Sequence, residues 1–259
     1  MRITKTAEMK KWALILALIT LTVSAAAAEE KNFQDYFREA SAFQKQGKTA
    51  SAEASYTKAI ELNKSYEAPY YGRGEVRFKK GDMEGAVADL SKALELGPKN
   101  KKAYRAYCLR AGAYLKTKDY PRAVSDFEKA MELNPASDEA YRGRGSVYFA
   151  DQSSIKNSQK AIEDFSHAVK LNPRDDANFV CRAKVYFALS RYGEALEDYD
   201  RAIALNPGND AAYAGRGIAR FVKSDYRGAK SDFDNAVRLN PEQKEALAEF
   251  IDEAEKILK

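Results

Sequence analysis

The stretch ALEDYDRAIALNP, Ala195 to Pro207, decides how this chain folds. Within it Ala195, Tyr199 and Ala202 stand four and three residues apart, which places them on one stripe of an α-helix. The alanines allow close approach of a neighbour, the larger residue fills the gap, and Leu205-x-Pro207 follows. Working outward, the same pattern returns with Ala86, Leu90 and Ala93; Ala123, Phe127 and Ala130; Ala161, Phe165 and Ala168; and Ala229, Phe233 and Ala236. Each set precedes a Leu-x-Pro, at Pro98, Pro135, Pro173, Pro207 and Pro241, with spacings of 37, 38, 34 and 34 residues. A sixth copy, Ala52, Tyr56 and Ala59, ends at Leu62 without its proline.

Upstream of every copy an aromatic is followed four residues later by a small residue: Tyr36 and Ala40, Tyr70 and Gly74, Tyr107 and Ala111, Tyr141 and Gly145, Phe179 and Ala183, Tyr213 and Gly217. This spacing predicts a first helix in each unit. The connections, among them Lys80-Gly81-Asp82 and Ser224-Asp225-Tyr226, are polar as a helix turn should be. A hairpin of two short helices cannot bury its apolar face alone, so consecutive copies must stack into a continuous core. The expected class is all-α, a solenoid of helix-turn-helix units.

At 34-residue spacing, with its A-x3-F stripe and closing proline, the chain resembles the tetratricopeptide repeat family. The resemblance implies a right-handed superhelix of six repeats, at 33–66, 67–100, 104–137, 138–175, 176–209 and 210–241, closed by a capping helix over 242–259. The sequence departs from the family in carrying Tyr or Phe where Trp is common, and Arg where Leu is common before the small residue. Three extra residues ahead of Tyr107 are expected to lengthen that helix, and four within 150–159 to enlarge a turn. For the cap, Ala246, Phe250, Ile251, Ala254, Ile257 and Leu258 form the expected apolar stripe, with a partner-binding helix as the alternative.

The N-terminus reads differently. Arg2, Lys5, Lys10 and Lys11, the apolar run Trp12 to Val23 and the small residues Ser24 to Ala28 have the make-up of a secretory signal peptide, residues 1–28. The run, 12 residues long, falls short of the roughly 20 that span a bilayer, although an uncleaved anchor is the alternative. The expected home is therefore exported, periplasmic or extracellular. Without that segment Lys and Arg fall from 43 to 39 and Asp and Glu from 38 to 37, a balance of +2, so no nucleic-acid partner is expected. The chain has 16 Tyr and 12 Phe but one histidine, His167, which leaves no histidine relay and no histidine-based metal cluster. No enzyme, cofactor, metal or small-molecule substrate is expected. Cys108 and Cys181 lie in first helices of repeats that are not neighbours, too far apart to bridge, and are read as free thiols.

Five repeats place an Arg before the small residue and an Asp before the large one: Arg73 and Asp89, Arg110 and Asp126, Arg144 and Asp164, Arg182 and Asp198, Arg216 and Asp232. The first repeat has Glu39 and Ser55, losing both together. Paired occurrence points to a bridge between the helices of one hairpin, in preference to an arginine ladder for an anionic ligand. Gly72-Arg73-Gly74, Gly143-Arg144-Gly145 and Gly215-Arg216-Gly217 recur in alternate repeats, as though a two-repeat unit had been duplicated. The second glycine suits helix packing; for the first, packing is preferred over the alternative implied by the resemblance, room for a ligand in the concave groove.

The resemblance also places Tyr71, Glu75, Phe78, Arg105, Leu115, Arg142, Phe149, Lys184, Phe187, Ile218 and Phe221 along that groove. The phenylalanines have an alternative duty, packing neighbouring first helices together. Of the family's basic clamp for carboxylate-ended peptides, Phe37, Ser41, Gly72, Arg105 and Leu109 occupy the positions and only Arg105 is basic, so that clamp is not implied. A protein or peptide partner held along the groove is the expected function. The alternative is a holdase-like chaperone for unfolded exported chains.

Overall fold

The structure is a computed structural model that describes residues 31–98, 103–151 and 155–259. The segment read as an export signal lies outside the described residues. Among those described there are thirteen helices and no strand, so the chain is all-α. No described helix is long and apolar enough to cross a membrane. Two compact units are present, one ending at Pro69 and the other running from Tyr70 to Lys259.

In the first unit α1 (Phe33–Lys45) and α2 (Thr49–Leu62) form one hairpin. Asn32 caps α1 through a reciprocal box with Asp35, each side chain accepting from the other's backbone N–H. Ala40, Ala52 and Ala59 are fully buried at the contact, and Phe33 and Phe37 both meet the Tyr66 ring edge-on. Where the other repeats carry Arg and Asp, the Ser55 hydroxyl donates to Glu39 at 3.4 Å.

The second unit contains α3 (Glu67–Lys80, from Tyr70 on), α4 (Met83–Leu96), α5 (Ala103–Lys116), α6 (Tyr120–Leu133), α7 (Asp138–Ala150) and α8 (Ile155–Leu171). It continues through α9 (Asp176–Ala188), α10 (Tyr192–Leu205), α11 (Asp210–Val222), α12 (Tyr226–Leu239) and α13 (Gln243–Leu258). First helices α5, α7, α9 and α11 touch one another in sequence, whereas the described second helices α6, α8, α10 and α12 pack against first helices, α12 also against the cap α13. The first helices therefore form the inner face of this stack. Its core is a series of small clusters that bring the alanines and the large residue of a second helix against first helices, such as Phe179 of the same hairpin and Ala212 of the next around Ala195, Tyr199 and Ala202.

Turn chemistry explains the sharp reversal inside each hairpin. Gly81 has φ of 86°, and Lys118, Ser190 and Ser224 take the same left-handed conformation at 62°, 58° and 63°. The next residue then caps the second helix in three cases, Asp82, Asp119 and Asp225 each accepting from the N–H three residues on.

The residues added ahead of Tyr107 fall largely on 99–102, which lie outside the described residues; α5 is described from Ala103 to Lys116. Two expectations are corrected. The second insertion goes partly into helix, since α8 has 17 residues against 14 for α6 and α10, and the Asn157 amide on its first turn donates to the Asp151 carbonyl at 3.1 Å. In the cap the inward stripe is Leu247 and Ala254, buried, with Phe250 and Ile251, partly buried, while Ala246, Ile257 and Leu258 are exposed. The packing partner lies to one side of the helix axis, and a one-residue rotation of the face brings Leu247 inward in place of Ala246.

Candidate functional site

Two polar devices tie the helices of the second unit together. In the first, each arginine grips the aspartate of its own hairpin with both Nε and a terminal nitrogen. Arg73 donates to Asp89 at 2.8 and 2.7 Å, Arg110 to Asp126 at 2.7 and 2.8 Å, and Arg144 to Asp164 at 2.9 and 2.8 Å. Arg182 does the same to Asp198 at 2.8 and 2.7 Å, and Arg216 to Asp232 at 2.9 and 2.6 Å. The remaining nitrogen reaches the preceding second helix, from Arg110 to Ser91, Arg144 to Glu128, Arg182 to Ser166 and Arg216 to Asp200. Hydrogen bonding to the carboxylates raises the Arg144, Arg182 and Arg216 guanidinium pKa values against the opposing effect of burial. These arginines are held between helices and are not offered to a ligand as an anion-binding ladder.

The second device was not foreseen from sequence. Asn172, Asn206 and Asn240, each just after a second helix, donate to Asp138, Asp176 and Asp210 at 3.3, 3.1 and 3.0 Å. Asn209 and Gln243 of the following repeat or cap join the same carboxylates. Asn178, fully buried, accepts from Arg142 at 2.9 Å and donates to Asp138 and to the Ala168 carbonyl. The visible signal was Asn in the middle of Leu-Asn-Pro, paired with Asp at the start of the first helix.

Against this frame the predicted groove residues separate. Phe149, Lys184, Phe187 and Ile218 line one cavity of about 420 Å³ together with Ala188, Tyr199, Ala211, Ala214, Gly215 and Gln243. That volume falls within the roughly 300–1,000 Å³ of small-ligand pockets. The other predicted residues do not line it. Phe78 packs onto α5, where a methyl on Gly112 would sit 3.3 Å from its ring, and Leu115 packs on the cluster around Phe127. Phe221 meets Phe250 of the cap, ring centres 5.4 Å apart. Arg142 is tied to Asp175 and Asn178 and so links repeats. Farther along, Tyr71 is half-buried, Glu75 is bonded to Lys79 at 2.9 Å, and exposed Arg105 donates to the Tyr104 hydroxyl at 3.1 Å. Burial pushes the Tyr71 hydroxyl up to about 12, with Glu75 adding to the effect and Arg105 opposing it.

The glycine trios are explained by contact. A methyl on Gly143 would come within 2.1 Å of the Phe127 ring and one on Gly215 within 2.3 Å of the Tyr199 ring. Gly145 and Gly217 stand in the same way against Phe165 and Phe233 at 3.1 and 2.6 Å. At Gly143 and Gly215 the first glycine of the trio thus serves packing against the preceding repeat's second helix. Both thiols are free, Cys108 buried and Cys181 partly so. Burial pushes the Cys108 thiol up to about 12. Among the described residues no group of three or more His, Cys, Asp or Glu is arranged to hold a metal ion.

Successive helix pairs locked by the same arginine, the same alanine stripe and the same turn are accompanied by matches to models of the tetratricopeptide repeat over residues 37–101, 104–137 and 183–224. The chain belongs to the tetratricopeptide repeat family. Its fold is shared by a tetratricopeptide repeat protein from Parabacteroides merdae, 23% identical, with a TM-score of 0.69 over 97% of this chain and 96% of that one. It also matches a chain of the Cut9–Hcn1 hetero-tetramer of the APC/C, 14% identical, with a TM-score of 0.74 over 92% of this chain. There the chain spans only 45% of the other's length. YrrB, described as a tetratricopeptide repeat protein with an unusual peptide-binding site, is 25% identical over 74% of this chain and 96% of its own, with a TM-score of 0.52. No curated protein matches. Tetratricopeptide repeat proteins are generally scaffolds for protein–protein interaction, and membership of the family points to that broad role for this chain.

Proposed function

We propose that this chain is an exported, non-catalytic scaffold that holds a segment of a partner protein along the inner face of its repeats, in the periplasm or outside the cell. The observation that carries the reading is the cavity between α7, α9 and α11: Phe149, Phe187 and Ile218 form an apolar wall on consecutive first helices, with the Lys184 ammonium beside them. Apolar side chains arranged over adjacent helices suit a peptide whose anchor residue is desolvated there, with charge at the edge for orientation. The peptide-binding site ascribed to YrrB lends support by likeness of fold. Export is proposed from the N-terminal composition alone.

The test is crosslinking of the protein in its native compartment, followed by identification of the captured chains and of the protein's own N-terminus. Phe149→Ala combined with Phe187→Ala removes two walls of the cavity and is expected to lower capture about tenfold, as loss of a central anchor does. A chain beginning near Glu29 is expected if the signal is removed. Undiminished capture by the folded double variant would overturn the site, and an N-terminus at Met1 in the cytoplasm would overturn export.

A further inference from the structure

The cavity has one feature that an apolar slot for any side chain would lack. Its floor is Tyr199, only 2% exposed, in the position that Leu90, Phe127, Phe165 and Phe233 occupy in other repeats. In the first repeat the corresponding Tyr56 donates its hydroxyl to Gln44 at 2.6 Å and lies 3.4 Å from the Ser41 hydroxyl. The Tyr199 hydroxyl has no hydrogen-bond partner among the described residues, and burial drives its pKa upward. Gly215 is what gives it room: a methyl there would lie 2.5 Å from the Tyr199 oxygen. No buried side-chain polar atom among the described residues lacks a partner, so the Tyr199 oxygen opens to the cavity and is wetted from it; a guest that fills the cavity displaces that water, and one that supplies a hydrogen bond in its place is favoured over an analogue that leaves the hydroxyl unpaired. Nearby, the exposed Lys184 makes no salt bridge among the described residues and offers a cation for the face of an aromatic ring.

We propose that this cavity is a specificity subsite for one aromatic side chain bearing a polar hydrogen, tryptophan or tyrosine, on the bound segment, and that the Tyr199 hydroxyl is the group that reads it. The inference rests on the groove being the binding face. An indole N–H donates to the Tyr199 oxygen, and a phenol either donates to it or accepts from it. Phenylalanine and leucine fill the space but leave Tyr199 unpaired.

The probe is a set of four 12-residue peptide pools, randomised except for a central Trp, Tyr, Phe or Leu, with retention by the full-length chain measured for each. The unaltered protein is expected to retain the Trp and Tyr pools about five- to tenfold better than the Phe and Leu pools, the discrimination that one net hydrogen bond supplies. Tyr199→Phe removes only the hydroxyl and is expected to erase that preference while Phe and Leu retention persists. Ala188→Trp, at the exposed last residue of α9, blocks the cavity and is expected to lower all four; circular dichroism checks that both variants remain helical. Equal retention of the four pools, or a preference that survives in Tyr199→Phe, overturns the role of the hydroxyl and leaves the groove standing if Ala188→Trp still lowers them all. Retention indifferent to Ala188→Trp, or no retention of any pool, overturns the groove reading itself.

Discussion

Cys108 and Tyr71 show how much of the behaviour of this chain is decided by single side chains. The burial that raises the Cys108 thiol from 9.0 to about 12 acts on its charged form, and the same desolvation raises Tyr71 from 10.0 to about 12. Both groups hold their protons longer in the folded chain than in the unfolded one. Between pH 9 and 12 the unfolded chain therefore releases protons that the folded chain keeps, and stability falls as pH rises. For Cys108 the slope approaches about 1.4 kcal/mol per pH unit; Tyr71, more open to solvent, adds less. Urea midpoints measured from pH 8 to 11 are expected to decline from pH 9 in the natural chain, and less steeply between pH 9 and 10 in Cys108→Ala, where Cys181, also raised by burial, still contributes. An identical slope in both would show that the Cys108 thiol is not the cause. That Cys108 is a packed free thiol follows from its helical position in the repeat; that it is so well desolvated is a property of the neighbours around it, Ala111, Phe127 and Val147.

Between elements, the arginine does more than its sequence pairing indicated. The co-occurrence of Arg and Asp pointed to a bridge within one hairpin, and two bonds of each arginine lie there. The third bond, to Ser91, Glu128, Ser166 or Asp200, crosses to the preceding repeat. Serine and acid alternate in this series in step with the alternating Ala and Gly of the first helix, so the two-repeat periodicity extends into the interface. Asp164 is nearly buried, its side chain 5% exposed against 22% for Arg144. Arg144→Leu leaves that carboxylate without its main partner and is expected to cost about 3–5 kcal/mol, as removal of one member of a buried pair does. Arg144→Leu with Asp164→Leu restores neutrality, so its denaturation midpoint should exceed that of either single variant. A double variant no more stable than the singles would mean that the pair is not coupled.

Across the whole second unit, stability is a sum of contacts between neighbours, and the last neighbour is α13. Leu247 is 2% exposed and packs with Phe250 and Ile251 over Phe233, Ala236 and Phe221. Removing residues 242–259 returns these surfaces to water at a cost of about 3 kcal/mol, the worth of one or two buried apolar side chains. The truncated chain is expected to exchange its α11 and α12 amides faster, to leave those of α5 unchanged, and to self-associate as concentration rises. Hydrogen exchange and light scattering read both effects. Uniform acceleration in all helices, or a monomer with native protection, would contradict nearest-neighbour stability.

The periodic pattern by itself determined the helix pairs, their number and their stacking, because an alanine stripe repeated every 34 residues has no other way to leave water. It was the resemblance to the family, and not the pattern itself, that implied Phe149, Lys184, Phe187 and Ile218 as groove positions. What neither contained was which of these inner residues meet a cavity and which meet each other. Phe78 and Phe221 have the same register as Phe187, yet one rests on α5 and the other on the cap. Tyr199 belonged to the core stripe in every linear reading. Only the approach of α11 across Gly215 leaves its hydroxyl at the floor of a cavity. Periodicity assigns a side chain to a face, whereas free space and unmet hydrogen bonds depend on how far apart the faces finally lie.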